Sequence, residues 1–176
     1  MITLRLGQGE LEYLKVSVGE PQLRPEGEGE PRDYWDNNWI DVAIEIRVGA
    51  FDGRYTTQLF ADEFQYLREK LPKLYSFEIH KMEFAAIESQ LVINIEGDRR
   101  GNFAARCEAR DRSDGNSLSF TLGFDQTQIP RMIQELDAII KAYIACPPAK
   151  RLSDLEHLAH KCRLPARGAG ICNDDL

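Results

Sequence analysis

The sequence predicts an α+β fold, with a largely antiparallel sheet of about seven to eight strands, curled or folded into a sandwich, and two packing helices. Several segments alternate apolar and polar residues with a period of two, while two other segments show helical spacing. Most of the alternating segments follow one another across short turns, which favours antiparallel pairing because parallel neighbours need a crossover of about a dozen residues or more. With 176 residues, 43% of them hydrophobic, the chain is long enough to form one domain with a substantial core.

The first part of the chain carries four predicted strands. Residues 2–6 and 11–18 alternate on either side of the turn GQGE, and residues 39–48 alternate most regularly, with apolar side chains on one face and polar ones on the other. The dipeptide Asp52-Gly53 predicts a hairpin turn, because a type I′ turn needs positive φ at both central residues. The returning strand is then expected at 54–60.

A helix and a meander are predicted next. The helix covers 62–72, with Asp62 as its N-cap, Gln65 three residues later and Pro72 as its end. A short strand is expected within 75–84. Three clearer strands follow, and they alternate near 91–96, 103–109 and 118–124 with the turns DRRG and SDGN between them.

The second helix is predicted at 128–145, with Thr127 as N-cap and Pro130 in the first turn, where its missing amide costs no hydrogen bond. The helical spacing of its apolar residues predicts a wide apolar face that packs on the sheet. That face consists of Ile129, Met132, Ile133, Leu136, Ile139, Ile140, Tyr143 and Ile144.

These elements predict a single α+β domain over residues 1–148, interrupted by an acidic Pro/Gly-rich loop at 19–33. Residues 149–176 are expected to form a C-terminal appendage with a short helix, announced by a capping-box pattern from Ser153 to Glu156. No segment has the length of a membrane helix or the pattern of a signal peptide, so a cytoplasmic location is expected. Four irregularly spaced cysteines favour reduced thiols over a disulfide framework.

Charge is concentrated in one segment. The chain has a formal net charge of −7, and residues 19–45 hold eight acids and two bases, a local charge of −6. An acidic chain is a poor direct ligand for nucleic acid, which binds basic stripes. A basic protein partner for this segment is therefore the expectation.

No catalytic signature is present. His80 lies far in sequence from the other histidines, and no Ser or Cys has the context of a nucleophile. An enzyme would need a pocket that joins His80 with Glu83 or Glu88, whereas solvated surface explains these acids more simply. The sequence predicts no cofactor and no catalytic residues.

The C-terminal segment leaves one alternative open. His157, His160, Cys162 and Cys172 supply nitrogen and sulfur ligands of the kind that zinc prefers, but their spacing matches no established zinc motif. No metal site is predicted, and a small-molecule or metal-binding accessory protein is the alternative function.

The residues predicted to bind a partner surround two tryptophans. Trp39 has the same strand parity as Asp41 and Glu45, which places its indole on the outer face, and large aromatic residues bordered by charge are typical of interface hot spots. The complete predicted set is Asp33, Trp35, Asp36, Trp39, Asp41 and Glu45. The competing interpretation is that the tryptophans only cover the end of the sheet.

Three segments carry a family resemblance: WDNNWIDVAIEIRVGAFDGRYTTQLFADEFQYLREKL, AAIESQLVINIEGDRRGNFAARCEARDR and SLSFTLGFDQTQIPRMIQELDAI. Together they resemble the WapI-like bacterial immunity proteins, named for the wall-associated protein A toxin system. The resemblance implies a non-enzymatic cytoplasmic protein that binds and neutralises the C-terminal domain of a contact-delivered polymorphic toxin, which in the namesake system attacks tRNA. A cognate toxin domain is then the expected partner.

Overall fold

The computed structural model describes residues 1–19, 38–112 and 114–143, all within one compact unit, Met1–Ala145. The predicted loop at 19–33 lies outside these residues except for Gly19. The predicted end of the second helix and the whole appendage at 149–176 also lie outside them.

The first four strands form one antiparallel sheet in the order β1-β2-β3-β4. They are β1 (Ile2–Leu6), β2 (Glu12–Val18), β3 (Trp39–Val48) and β4 (Phe51–Phe60). The predicted alternation is confirmed, since Val42, Ile44 and Ile46 of β3 are buried while Asp41 and Arg47 are exposed. Their apolar side chains turn this face of the sheet towards the core.

The predicted hairpin turn at Asp52-Gly53 is wrong. Val48 pairs with Phe51, so the turn is Gly49-Ala50, and Asp52 lies within β4 opposite Arg47. Gly49 has φ +59°, the conformation that a type II′ turn requires at its first central residue. The longer pairing that this turn permits outweighs the local turn preference of Asp-Gly.

The first helix, α1 (Ala61–Tyr75), begins and ends elsewhere than predicted. Its N-cap is Phe60 rather than Asp62, and the Glu63 side chain accepts a hydrogen bond from the Phe60 backbone nitrogen at 2.9 Å. Pro72 lies inside the helix and does not end it. Burial of Leu71 and Leu74 favours the extra turn, and proline removes only one hydrogen-bond donor there.

The second sheet is antiparallel in the order β5-β6-β7-β8. Its strands are β5 (Lys81–Ala85), β6 (Leu91–Gly97), β7 (Asn102–Arg110) and β8 (Ser117–Asp125). The predicted meander is confirmed, and the expected short strand becomes its first member. A 3-10 turn, Gln126–Gln128, then leads into α2 (Ile129–Tyr143).

The N-cap of the 3-10 turn is Asp125, and Thr127, the predicted N-cap of the second helix, lies inside that turn. The Asp125 carboxylate accepts a hydrogen bond from the Thr127 backbone nitrogen at 2.8 Å. Carboxylates are among the strongest caps, and they also interact favourably with the positive end of a helix dipole. The predicted apolar face of α2 is confirmed at Ile129, Met132, Leu136 and Ile139, all of which are buried.

Each half of the fold therefore consists of four strands followed by a helix, and both halves contribute to one apolar core. The two helices contact each other through an ion pair between Arg68 and Asp137 with an N–O distance of 2.6 Å. The predicted α+β class with about eight strands is confirmed. The strands form two open four-stranded sheets rather than a closed barrel.

Candidate partner-binding surface

Three of the six predicted partner-binding residues lie on one described surface. Trp39, Asp41 and Glu45 share the outer face of β3, as their parity predicts. Asp33, Trp35 and Asp36 lie outside the described residues, so their position stays a prediction.

Trp39 stands at the end of the β3–β4 hairpin opposite the turn. It pairs with Phe60, and their rings meet edge to face with centroids 5.4 Å apart and an interplanar angle of 70°. Phe60 is 1% exposed, while Trp39 is half-buried. This contact fixes the orientation of the indole and leaves part of it accessible, as an aromatic anchor for a partner requires.

Asp41 borders a shallow groove of about 500 Å³ on the same face. Gln58, directly across the strand pair, donates its side-chain Nε2 to Asp41 Oδ1 at 2.8 Å. Ser17, Ala43 and Thr56 form one cross-strand row, and these small side chains make the floor of the groove. The groove can accept a side chain of a partner beside an exposed carboxylate.

Glu45 belongs to a cluster that spans β2 and β3. Lys15 lies opposite it in the register and forms an ion pair at 2.8 Å, and the Tyr13 hydroxyl donates to Glu45 Oε1. The Lys15 and Tyr13 hydrogen bonds hold the pKa of Glu45 below its usual range, and the bond to Glu45 raises the pKa of Tyr13. Glu45 is therefore ionised and already neutralised by a neighbour.

The described outer face of this sheet carries both signs of charge. Its basic residues are Arg5, Lys15, Arg47 and Arg54, and its acidic residues are Asp41, Glu45 and Asp52. Asp41 lies towards the Trp39 end and pairs with Gln58 rather than with a basic residue.

The residues of the enzymatic alternative do not converge. The exposed His80 contacts Arg99, with Nε2 and Nη2 separated by 2.8 Å, and the Glu88 carboxylate accepts from the Gln90 amide. Glu83 lines a groove beside α1 that includes neither His80 nor Glu88. Within residues 1–19, 38–112 and 114–143, no group of three His, Cys, Asp or Glu side chains could hold a metal ion. The four candidate zinc ligands of the appendage lie outside those ranges.

Sequence reasoning missed three contributors to this surface: Tyr13, Lys15 and Gln58. Their roles depend on which residue stands opposite which in the sheet, and alternation gives the face of a side chain but not its cross-strand neighbour. A register inferred from the Gly49 turn would have identified Gln58 as the partner of Asp41.

The family model of the WapI-like immunity proteins matches residues 7–144, which include both helices and every strand except β1. The chain belongs to this family. An immunity family implies a toxin as the general kind of partner. No curated protein sequence matches the chain.

Several solved structures are similar to this family member at low identity. WHY1 from Arabidopsis thaliana has 10% sequence identity and a TM-score of 0.48, with 97% of each chain covered. The plant transcriptional regulator PBF-2 has 10% identity and a TM-score of 0.47, with 95% of this chain and 90% of that chain covered. The Trypanosoma brucei MRP1/MRP2 structure has 10% identity and a TM-score of 0.43, with 79% and 84% covered. Likenesses of this size carry no functional argument.

Among the helices described for this immunity-family chain, none combines the length and the apolar character needed to cross a membrane.

Proposed function

We propose that this chain is a non-enzymatic immunity protein that binds a cognate toxin domain and blocks its activity. The observation that carries the proposal is the family match over residues 7–144. The proposed partner is a protein domain of the bacterium's own contact-delivered toxin, and inhibition needs only occlusion of the toxin's functional cleft.

The proposed contact surface is the Trp39 end of the first sheet's outer face. The half-buried indole of Trp39 and the groove beside Asp41 supply an aromatic anchor and an adjacent carboxylate. Anchors of this kind contribute most of the binding free energy in many interfaces. Asp33, Trp35 and Asp36 precede this end in the sequence and remain part of the proposed site.

The proposed toxin surface is basic. A domain that cleaves nucleic acid must attract phosphate, so its cleft is expected to carry Lys and Arg side chains. Residues 19–45 hold a local charge of −6, close to the whole net charge of −7. Such segregation increases the association rate with a basic partner and makes that rate fall as salt is added.

Co-expression with the toxin domain encoded by the neighbouring gene tests this proposal. Growth rescue and a stable complex on co-purification are the expected results. If the full chain neither binds that domain nor rescues growth, the proposal is wrong.

Two substitutions test the surface itself. Trp39→Ala is expected to weaken binding by about 2 kcal/mol or more, roughly thirtyfold in Kd, because it removes the anchor. Phe51→Ala is the matched control, since Phe51 is an exposed aromatic residue, 66% accessible, at the other end of the same hairpin. Equal losses from both variants would exclude Trp39 as a specific anchor.

A charge reversal tests the electrostatic part. Asp41→Lys is expected to lower the association rate constant and flatten its salt dependence, whereas Glu96→Lys, on the outer face of the second sheet, is expected to have little effect. Both carboxylates are exposed, so neither change disturbs the core. An unchanged association rate for Asp41→Lys would place the partner elsewhere.

A further inference from the structure

The two open sheets have four edge strands, and two of these edges are covered by helices. On β1, two side chains of α2 form hydrogen bonds with the backbone of Arg5. The Arg5 nitrogen donates to Glu135 Oε2 at 2.9 Å, and the Arg5 oxygen accepts from Arg131 Nη2 at 3.2 Å. On β5 the Glu83 carbonyl accepts from the Tyr66 hydroxyl of α1 at 2.8 Å. Covering an edge in this way prevents another strand from pairing with it.

The other two edges, β4 and β8, differ in charge. Antiparallel pairs alternate between hydrogen-bonded and non-hydrogen-bonded positions, so one bond fixes the direction of every backbone group along a strand. The Ala61 nitrogen donates to the Asn38 oxygen at 2.9 Å, which aims the β4 backbone groups of five residues outward: Asp52, Arg54, Thr56, Gln58 and Phe60. Two of these five residues are charged, and charge on an edge discourages pairing.

On β8 the same reasoning identifies an edge that has only one charged residue, at its end. The Gln126 nitrogen donates to the Gly101 oxygen at 2.7 Å, and the Asp111 nitrogen donates to the Asn116 oxygen at 3.2 Å. With the β7–β8 register, both bonds direct the backbone groups of the same residues away from β7. Those residues are Ser117, Ser119, Thr121, Gly123 and Asp125, and only the last is charged.

Within the described parts of the chain, no hydrogen bond reaches the backbone of Ser119, Thr121 or Gly123 on the side away from β7. All three residues are exposed. Leu118 and Phe120, which precede Ser119 and Thr121 and lie on the inner face, are only half-buried although they pack against the core. Such an edge, nine residues long and without Lys, Arg or Pro, has the properties that promote strand addition.

We propose that β8 pairs with β8 of a second copy of this chain, antiparallel across a two-fold axis at Thr121, to form one continuous eight-stranded sheet. In this register Ser119 faces Gly123 of the second copy, and Ser117 faces its Asp125. No two like charges meet, and every outward backbone group of the strand gains a partner. The sequence of β8 is therefore complementary to itself.

The same register adds apolar contact. Phe120 faces Leu122 of the second copy, and Leu118 faces its Phe124, so the half-exposed side chains extend the inner apolar stripe across the axis. Cross-strand aromatic and aliphatic pairs of this kind stabilise a sheet beyond its backbone bonds. This pairing is independent of the proposed toxin-binding function, which uses the other sheet.

Light scattering coupled to size exclusion, measured on the full chain over a range of concentrations, tests the pairing. The wild type is expected to show twice the 20.1 kDa mass of one chain. Thr121→Lys places two like charges opposite each other at the axis and is expected to weaken self-association about tenfold or more. Thr56→Lys is the matched control, since Thr56 is an exposed threonine on the outward side of the β4 edge, and it is expected to retain the dimer.

A charge-swap experiment distinguishes loss of pairing from loss of folding. Thr121→Lys and Thr121→Glu are each expected to be folded by circular dichroism and to associate more weakly than wild type by light scattering, and an equimolar mixture is expected to recover the self-association of wild type. A wild type that is monomeric at every concentration overturns the proposal, even if Thr121→Lys loses toxin binding, because the edge then serves another partner. Self-association of Thr121→Lys that is as tight as that of wild type, or a mixture that does not reassociate, also overturns it.

Discussion

Glu63 provides the most direct test of how the fold is held together. Its buried carboxylate, 8% exposed, accepts hydrogen bonds from the Phe60 nitrogen at 2.9 Å and the Ile87 nitrogen at 2.6 Å. It thereby fixes the start of α1 to the turn between β5 and β6. Glu63→Gln replaces one accepting oxygen with an amide that can only donate, so one of these two backbone nitrogens loses its acceptor.

The expected cost follows from the value of each bond. Losing a buried acceptor costs about 1–3 kcal/mol, so Glu63→Gln is expected to lower the free energy of unfolding by that amount. Glu63→Ala removes both acceptors and leaves space behind, for an expected cost of about 2–5 kcal/mol. Glu69→Gln, an exposed glutamate of the same helix, is the control and is expected to change stability by less than about 0.5 kcal/mol.

Urea unfolding at equilibrium measures these differences as shifts in midpoint at unchanged m-value. The pH dependence gives a second check. Burial raises the pKa of Glu63, while its two backbone hydrogen bonds oppose the shift. The contribution of Glu63 to the free energy of unfolding is then complete at pH values below its pKa in the unfolded chain. It declines as the pH rises through its pKa in the folded protein. The advantage of wild type over Glu63→Gln should therefore narrow from acidic towards neutral pH. If Glu63→Gln is as stable as Glu69→Gln, the carboxylate does not hold these two elements together.

Three further substitutions or reactions have defined outcomes. Glu135→Ala should destabilise the protein by about 1–2 kcal/mol in urea titrations, because the Arg5 nitrogen loses its acceptor on the β1 edge; an unchanged midpoint would contradict that role. Gly97→Ala should cost about 1–3 kcal/mol by thermal unfolding, since a Cβ there would lie 2.6 Å from Phe103, and a neutral effect would mean that the ring moves freely. Burial raises the pKa of Cys107 to about 12, so peptide mapping after alkylation should find Cys107 modified only in denaturant. Rapid labelling of the native protein would show that β7 opens.

The strand and helix patterns were predictable because burial on one face forces a period on the sequence. Periodicity identified β3, β6, β7, β8 and the apolar face of α2, whose amphipathic patterns are long and regular. It failed at the junctions. Asp52-Gly53 is a stronger local turn signal than Gly49-Ala50, yet it lies within a strand because the register that buries Ile44 and Ile46 decides the turn.

The candidate surface was predictable only in part, for the same reason. Parity placed Trp39, Asp41 and Glu45 on one face, and the structure brings them there. Sequence alone gave no reason to expect that Lys15 neutralises Glu45, because that pair joins residues thirty positions apart through the β2–β3 register. The buried clamp of Glu63 was missed because Asp62 was assigned as the cap, which shifted the capping pattern to Gln65.

The way each helix covers an edge of the other half's sheet has a consequence for folding. Tyr66, in the first half, bonds the β5 backbone of the second half, while Arg131 and Glu135 of the second half bond β1 of the first. In each half, one edge strand is therefore covered by side chains from the helix of the other half. We expect the halves to unfold in one cooperative transition, with coincident fluorescence and circular dichroism curves, and neither half to be stable when produced alone.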